Sequence, residues 1–103
     1  MYRLSNLAAK DFGHIFEYTL LNFGVKQADS YTESMHNALQ TLALNPLMGY
    51  ECPEIADHIR RHDHQKHAIF YSYQSPNIFI LRILHQHMEP LKHFSPDYDE
   101  NLL

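Results

Sequence analysis

Nine of the 103 residues are histidine, and five of these fall in two short runs, His62-x-His64-x-x-His67 and His85-x-His87. Imidazole titrates near neutral pH, so such runs can carry protons or bind a metal. On a strand, residues two apart share a face, which is what two imidazole ligands need. There is no cysteine pair and no clear third ligand at a metal-site spacing, so neither a metal nor another cofactor is expected. Arg60, Arg61 and Arg82 form a second group of candidates. Guanidinium makes bidentate bonds to carboxylate and phosphate, so these side chains suit contact with a target or a protein partner. Arg82 interrupts an otherwise apolar run and lies close to His85 and Met88, so these three mark one candidate contact surface. Cys52, beside Pro53, has no nearby base in sequence and is expected to be an inert thiol.

These residues could also be asked to cleave RNA. Attack by a 2′-hydroxyl needs a group to take its proton, cations for the charge developing on phosphorus, and an acid for the leaving oxygen. Arg60, Arg61, Lys66 and Arg82 follow the midpoint of the chain, but residues 47–57 contain no lysine or arginine. His85 or His87 could carry a proton, which keeps a ribonuclease as an alternative. The set is incomplete, and the expectation is a protein that binds rather than catalyses.

The elements that must position these residues follow from periodicity. Residues 2–7 read as a short strand. Leu7 or Ala8, Phe12, Ile15, Phe16, Thr19 and Phe23 then recur at helical spacing, with Gly24 as a left-handed C-cap. Val25, Ala28, Tyr31, Met35, Ala38, Leu39 and Leu42 give a second apolar stripe that ends near Asn45-Pro46. The short connection implies a helical hairpin. Residues 47–57, with Gly49 and Pro53, read as a loop. Residues 67–73 and 77–84 are rich in aromatic and β-branched side chains around a Gln74-Ser75-Pro76 turn and predict a β-hairpin, preceded by a shorter strand at 59–62. The resulting order, strand–helix–helix–strand–strand–strand, is an α+β layer with the helical hairpin on one face of a small, mainly antiparallel sheet. Phe12, Phe16, Phe23, Tyr31, Phe70 and Phe79 are assigned to the core, while Tyr18, Tyr71 and Tyr73 are ambiguous.

Length and composition set the outer bounds. The chain fits one domain, assigned to residues 1–94, with an acidic, mobile tail at 95–103. The net charge is −4, but residues 1–94 are nearly neutral, because three of the twelve acids (Asp97, Asp99 and Glu100) sit in that tail. This argues against coating nucleic acid by bulk electrostatics, and no sequence-specific nucleic-acid binding is expected. A lone cysteine, no secretory leader and no long apolar run predict a cytoplasmic protein without a membrane span.

Taken in order, Ser5, Ala8, Asp11-Phe12, Ile15, Tyr18-Thr19, Phe23-Gly24, Gln27-Ala28 and Tyr31 resemble the N-terminal half of ParE-like toxins of the RelE/ParE superfamily. Asn45-Pro46 and Gly49 resemble the family's "NP..G" turn, and Arg82-Ile83-Leu84-His85 with Met88 its "RILH..M" ending. The resemblance spans roughly residues 4–89. It implies a RelE/ParE-like β-α-α-β-β-β fold and the toxin half of a type II toxin–antitoxin pair. The implied partners are a cognate ParD-like antitoxin, in a hetero-oligomer, and DNA gyrase, whose cleaved-DNA complex such toxins trap. RelE-like relatives cut mRNA on the ribosome using lysines, arginines and a tyrosine near the C-terminus, where this chain has Met88. Two departures stand out: Tyr50 where arginine is common, and His58 where glycine is common before the Leu-Arg pair. They keep open a non-toxic, antitoxin-binding module.

Overall fold

Ser5 sets where the chain turns from strand to helix in the computed structural model, which describes residues 1–94. Its hydroxyl accepts a hydrogen bond from Ala8 N, capping α1 (Asn6–Phe23), and donates one to Leu81 O. The first strand, β1 (Tyr2–Leu4), is therefore shorter than the 2–7 expected. Gly24 ends α1 and begins α2 (Val25–Leu44), as the spacing implies. It is not the left-handed cap that was expected: φ 92° is joined to ψ 171°, an extended conformation on the positive-φ side that favours glycine. This single residue reverses the chain into the helical hairpin.

The segment 47–57, read as a loop, contains a short strand, β2 (Tyr50–Glu51). Beyond it, β3 (Ile59–His64) runs two residues past the expected 59–62. It joins β4 (His67–Gln74) through a tight turn in which Gln65 takes φ 53°. β5 (Asn77–His85) completes the hairpin. A short helix, α3 (Pro90–His93), follows β5. The tail expected at 95–103 lies outside the described residues.

Among the described residues the sheet has the order β1-β5-β4-β3-β2, antiparallel except where β1 runs parallel to β5. The helical hairpin covers one face, where Ala8, Met35, Leu39 and Leu42 meet Ile69, Tyr71, Ile80 and Ile83. Burial of that apolar surface is the main force holding the helices to the sheet. The opposite face carries a smaller core of Cys52, Ile59, Ala68, Phe70, Leu81 and Leu84, against which Phe94 packs. Phe23 and Val25 depart from the expected core stripes: both are more than 60% exposed, because the helical hairpin overhangs the sheet at its tip. Tyr71 is wholly buried, whereas Tyr18 and Tyr73 face solvent.

Gly49 explains the Asn-Pro-x-x-Gly turn. A Cβ there would lie 2.6 Å from Tyr71 Oη and 2.7 Å from Arg61 O. The backbone approaches so closely because Gly49 N donates to the Tyr71 hydroxyl, which donates in turn to Pro46 O. Position 58 makes no comparable demand: among the described residues only Gly24 and Gln65 have positive φ, so His58 is accommodated without strain.

Candidate groove between the helical hairpin and the strand ends

The overhang of the helical hairpin leaves a groove of about 680 Å³ between the C-terminal half of α1, the first turns of α2 and the far ends of β4 and β5. Apolar side chains of Ile15 and Ile83 line it, and Tyr18, Phe23 and Met88 contribute more exposed apolar surface. Its polar groups include four histidines, His14, His67, His85 and His87, with Asp11, Thr19, Gln27, Tyr31, Gln65 and Lys66.

Two of the five candidate contact residues, His85 and Met88, lie in this groove. The three arginines do not form the basic patch that their sequence positions suggested. Arg82 is only 9% exposed and makes a bidentate pair with Asp11 of α1, at 2.8 and 2.9 Å, while a third nitrogen donates to His93 O. Asp11 Oδ2 also accepts from Ile83 N. Among the described residues, β5 has no strand beside it on the β1 side beyond Ile80, and the side chains of Ser5 and Asp11 satisfy the backbone there. Arg82 thus ties α1, β5 and α3 together; burial and pairing explain why a cation interrupts an apolar strand. Arg60 donates to Gly49 O and Leu47 O, fastening the loop before β2. Arg61 points to the other face, paired with Asp63 and stacked over Phe70 at 5.5 Å.

Sequence reasoning singled out the histidines beneath the groove but missed how they line up. His64, His67 and His85 stand directly opposite one another on β3, β4 and β5, a row across three strands. Tyr31 of α2 lies above it, its hydroxyl sharing a 2.6 Å hydrogen bond with His67 Nδ1. His64 Nε2 meets Ser34 Oγ at 2.9 Å, and His85 Nδ1 accepts from His87 N. Burial pushes His67 down to about 4, helped by its neighbours His85 and His64. It also lowers His64, with His62 adding to the effect, and raises Tyr31. At neutral pH the centre of the row is an uncharged imidazole beside an un-ionised phenol. The signal in the sequence was the pair of residues between His64 and His67, since a two-residue turn puts its flanking residues opposite each other. Gln65-Lys66 lacks the glycine or asparagine by which such turns are recognised.

No group of three or more His, Cys, Asp or Glu among the described residues is placed to hold a metal ion. Cys52 is buried, and burial pushes its thiol up, away from nucleophilic use. No helix among the described residues is long and apolar enough to cross a membrane.

Against known proteins, residues 2–90 match the family model described as the ParE toxin of the type II toxin–antitoxin system, parDE. The chain is 33% identical over 89 residues to Toxin ParE1 of Mycobacterium tuberculosis strain H37Rv, a match covering 85% of this chain and 91% of that one. It is 32% identical over 92 residues to Toxin ParE1 of Caulobacter vibrioides, covering 89% and 95%. Among solved structures, one described as the chromosomal ParDE toxin–antitoxin system of P. aeruginosa shares the fold, with a TM-score of 0.70 at 17% identity over 82% of this chain and 92% of that one.

Proposed function

The chain belongs to the ParE toxin family of type II toxin–antitoxin systems, and from that membership we propose that it acts by binding, with DNA gyrase as target and a ParD-like antitoxin as neutralising partner. The antitoxin sits in the groove between the helical hairpin and the strand ends, laying an apolar face against Ile15, Phe23 and Met88. The toxin stabilises gyrase's cleaved-DNA complex and so blocks replication, and no residue of the chain takes part in bond making or breaking.

The observation that carries this reading is the chemistry of the groove. Its apolar lining surrounds a histidine centre held neutral at physiological pH, and Lys66 is the one lysine or arginine among the described residues that line it. Arg60, Arg61 and Arg82 are spent on internal bonds. Phosphoryl transfer would need converging cations, whereas an apolar groove with a few polar groups suits a folded protein segment.

Purified chain added to a gyrase supercoiling reaction should inhibit it and accumulate enzyme-linked cleaved DNA. Expression in bacteria should arrest growth, induce the DNA-damage response and leave transcripts intact. Ribosome-dependent mRNA cuts in place of gyrase inhibition would replace this reading with the ribonuclease. Soluble protein causing no arrest would instead leave an antitoxin-binding module. A Met88→Glu substitution buries no new charge in the core, since Met88 is 47% exposed. It should weaken antitoxin binding at least tenfold, roughly 1.4 kcal/mol, in a titration where Arg61→Ala leaves affinity unchanged.

A further inference from the structure

Three histidines in register across three adjacent strands place identical side chains where cross-strand neighbours interact most strongly. We propose that the row of His64, His67 and His85 is a proton-sensitive latch beneath the groove: with neutral rings it holds Tyr31 and the helical hairpin against the strand ends, and protonation releases them.

The rings are close. His67 and His85 have centroids 5.5 Å apart in an edge-to-face arrangement, and Tyr31 lies 5.5 Å from His67 and 6.1 Å from His64. His87 extends the series, 4.9 Å from His85. With its rings neutral, the row is joined to its neighbours by three hydrogen bonds: Tyr31 to His67, Ser34 to His64, and His87 N to His85 Nδ1. A proton on His85 Nδ1 would face the His87 N–H donor and cost that bond. A proton on His67 would put a partly buried cation between two rings of the same kind.

The groups facing His67 offer little compensation. From α1 come Asp11 and His14, from α2 Tyr31, from β3 His62 and His64, from the following turn Lys66, and from the end of β5 His85 and His87. Asp11 is the one carboxylate lining the groove among the described residues, and it already accepts three hydrogen bonds from Arg82 and Ile83. The depressed proton affinities of His67 and His64 agree with this geometry. A histidine whose folded pKa lies below its unfolded value stabilises the fold fully above the unfolded value of 6.5. That contribution is lost as pH falls from there toward 4, and the helical hairpin tip, attached at this end through Tyr31, is what lets go.

The latch is tested on the free chain, apart from the proposed use of the groove. Between pH 7.5 and 5 the wild-type Tm should fall by about 5–10 °C. As pH falls on from 5 to 4, near-UV circular dichroism of tyrosine should change while far-UV helicity persists, and the neutral dye Nile red should brighten as apolar surface opens. In His64→Gln/His85→Gln, which keeps the Tyr31–His67 bond, each change should be less than half as large. A wild type whose Tm and dye signal ignore pH, or a double variant that responds as the wild type does, overturns the latch. If the double variant does not fold, nitrogen NMR of the wild-type ring decides. His67 should remain neutral below pH 5 with Tyr31 shifting as it titrates, and a His67 that titrates with the exposed histidines rules the latch out. Gyrase inhibition at pH 7.5 together with a flat pH profile would leave the toxin reading standing and remove only the latch.

Discussion

Arg82 shows at the level of one residue how burial decides what a charge is for. In sequence its place near the end of an apolar strand suggested a contact with another macromolecule. In the fold its guanidinium is closed off by Asp11 and by the carbonyl of His93. Removing either partner of such a pair leaves the other charge buried and unmatched. Asp11→Ala or Arg82→Ala should therefore cost about 3 kcal/mol in a urea unfolding titration. The double variant should cost less than the sum of the two, because neither charge is then stranded. Equal additive losses would show that the two side chains act independently. Gly49 carries a different constraint, one of space. Gly49→Ala sets a methyl against a backbone carbonyl and a buried hydroxyl, so the turn must move and the Tyr71 bonds to Gly49 N and Pro46 O weaken. Its expected loss is about 2 kcal/mol, checked by the same titration.

At the scale of elements, the helices and the central hairpin were legible because their periodicities are long and unambiguous. The apolar stripe of α2 meets the sheet through Met35, Leu39 and Leu42, as its spacing requires. The misreadings fall where a short-range bond overrides pattern. Residues 5–7 look like strand, but the Ser5 hydroxyl caps α1 and starts the helix two residues sooner. The end of β3 was cut short because Gln65 adopts a positive φ that its residue type does not advertise. This error also hid the histidine row, since His64 faces His67 only if the turn has two residues. Phe23 and Val25 continue apolar stripes in sequence, yet both are more than 60% exposed at the tip of the helical hairpin. Periodicity reports which face of a helix is apolar and not how far its partner reaches. Ser5 joins cap and sheet edge, so Ser5→Ala should remove the bond to Ala8 N and leave Leu81 O without its donor. A loss of about 2 kcal/mol is expected, with faster hydrogen exchange at the first turn of α1 than at its centre.

Across the whole molecule, the two faces of one sheet serve different ends. The face under the helical hairpin buries the larger core and, where the helices overhang, leaves the groove with its histidine floor. The other face is closed by the 52–56 segment and by Phe94, whose ring meets Phe70 edge to face at 5.2 Å. Because β4 and β5 belong to both layers, a change on the second face can reach the groove through the strands themselves or through Arg82, which joins His93 O to Asp11. Residues alternate along β4, so Phe70 points away from the helices while Ile69 and Tyr71 point toward them. Phe94→Ala takes a half-buried ring from the edge of the smaller core and should cost about 1–2 kcal/mol of global stability. Resonances of Phe70, Leu81 and Leu84 should shift, while those of Tyr31, His67 and Met88 stay in place. Gyrase inhibition measured well below the melting temperature should then match the wild type. A Phe94→Ala protein that remains folded but no longer inhibits gyrase would place the gyrase-contacting surface on the face that α3 covers.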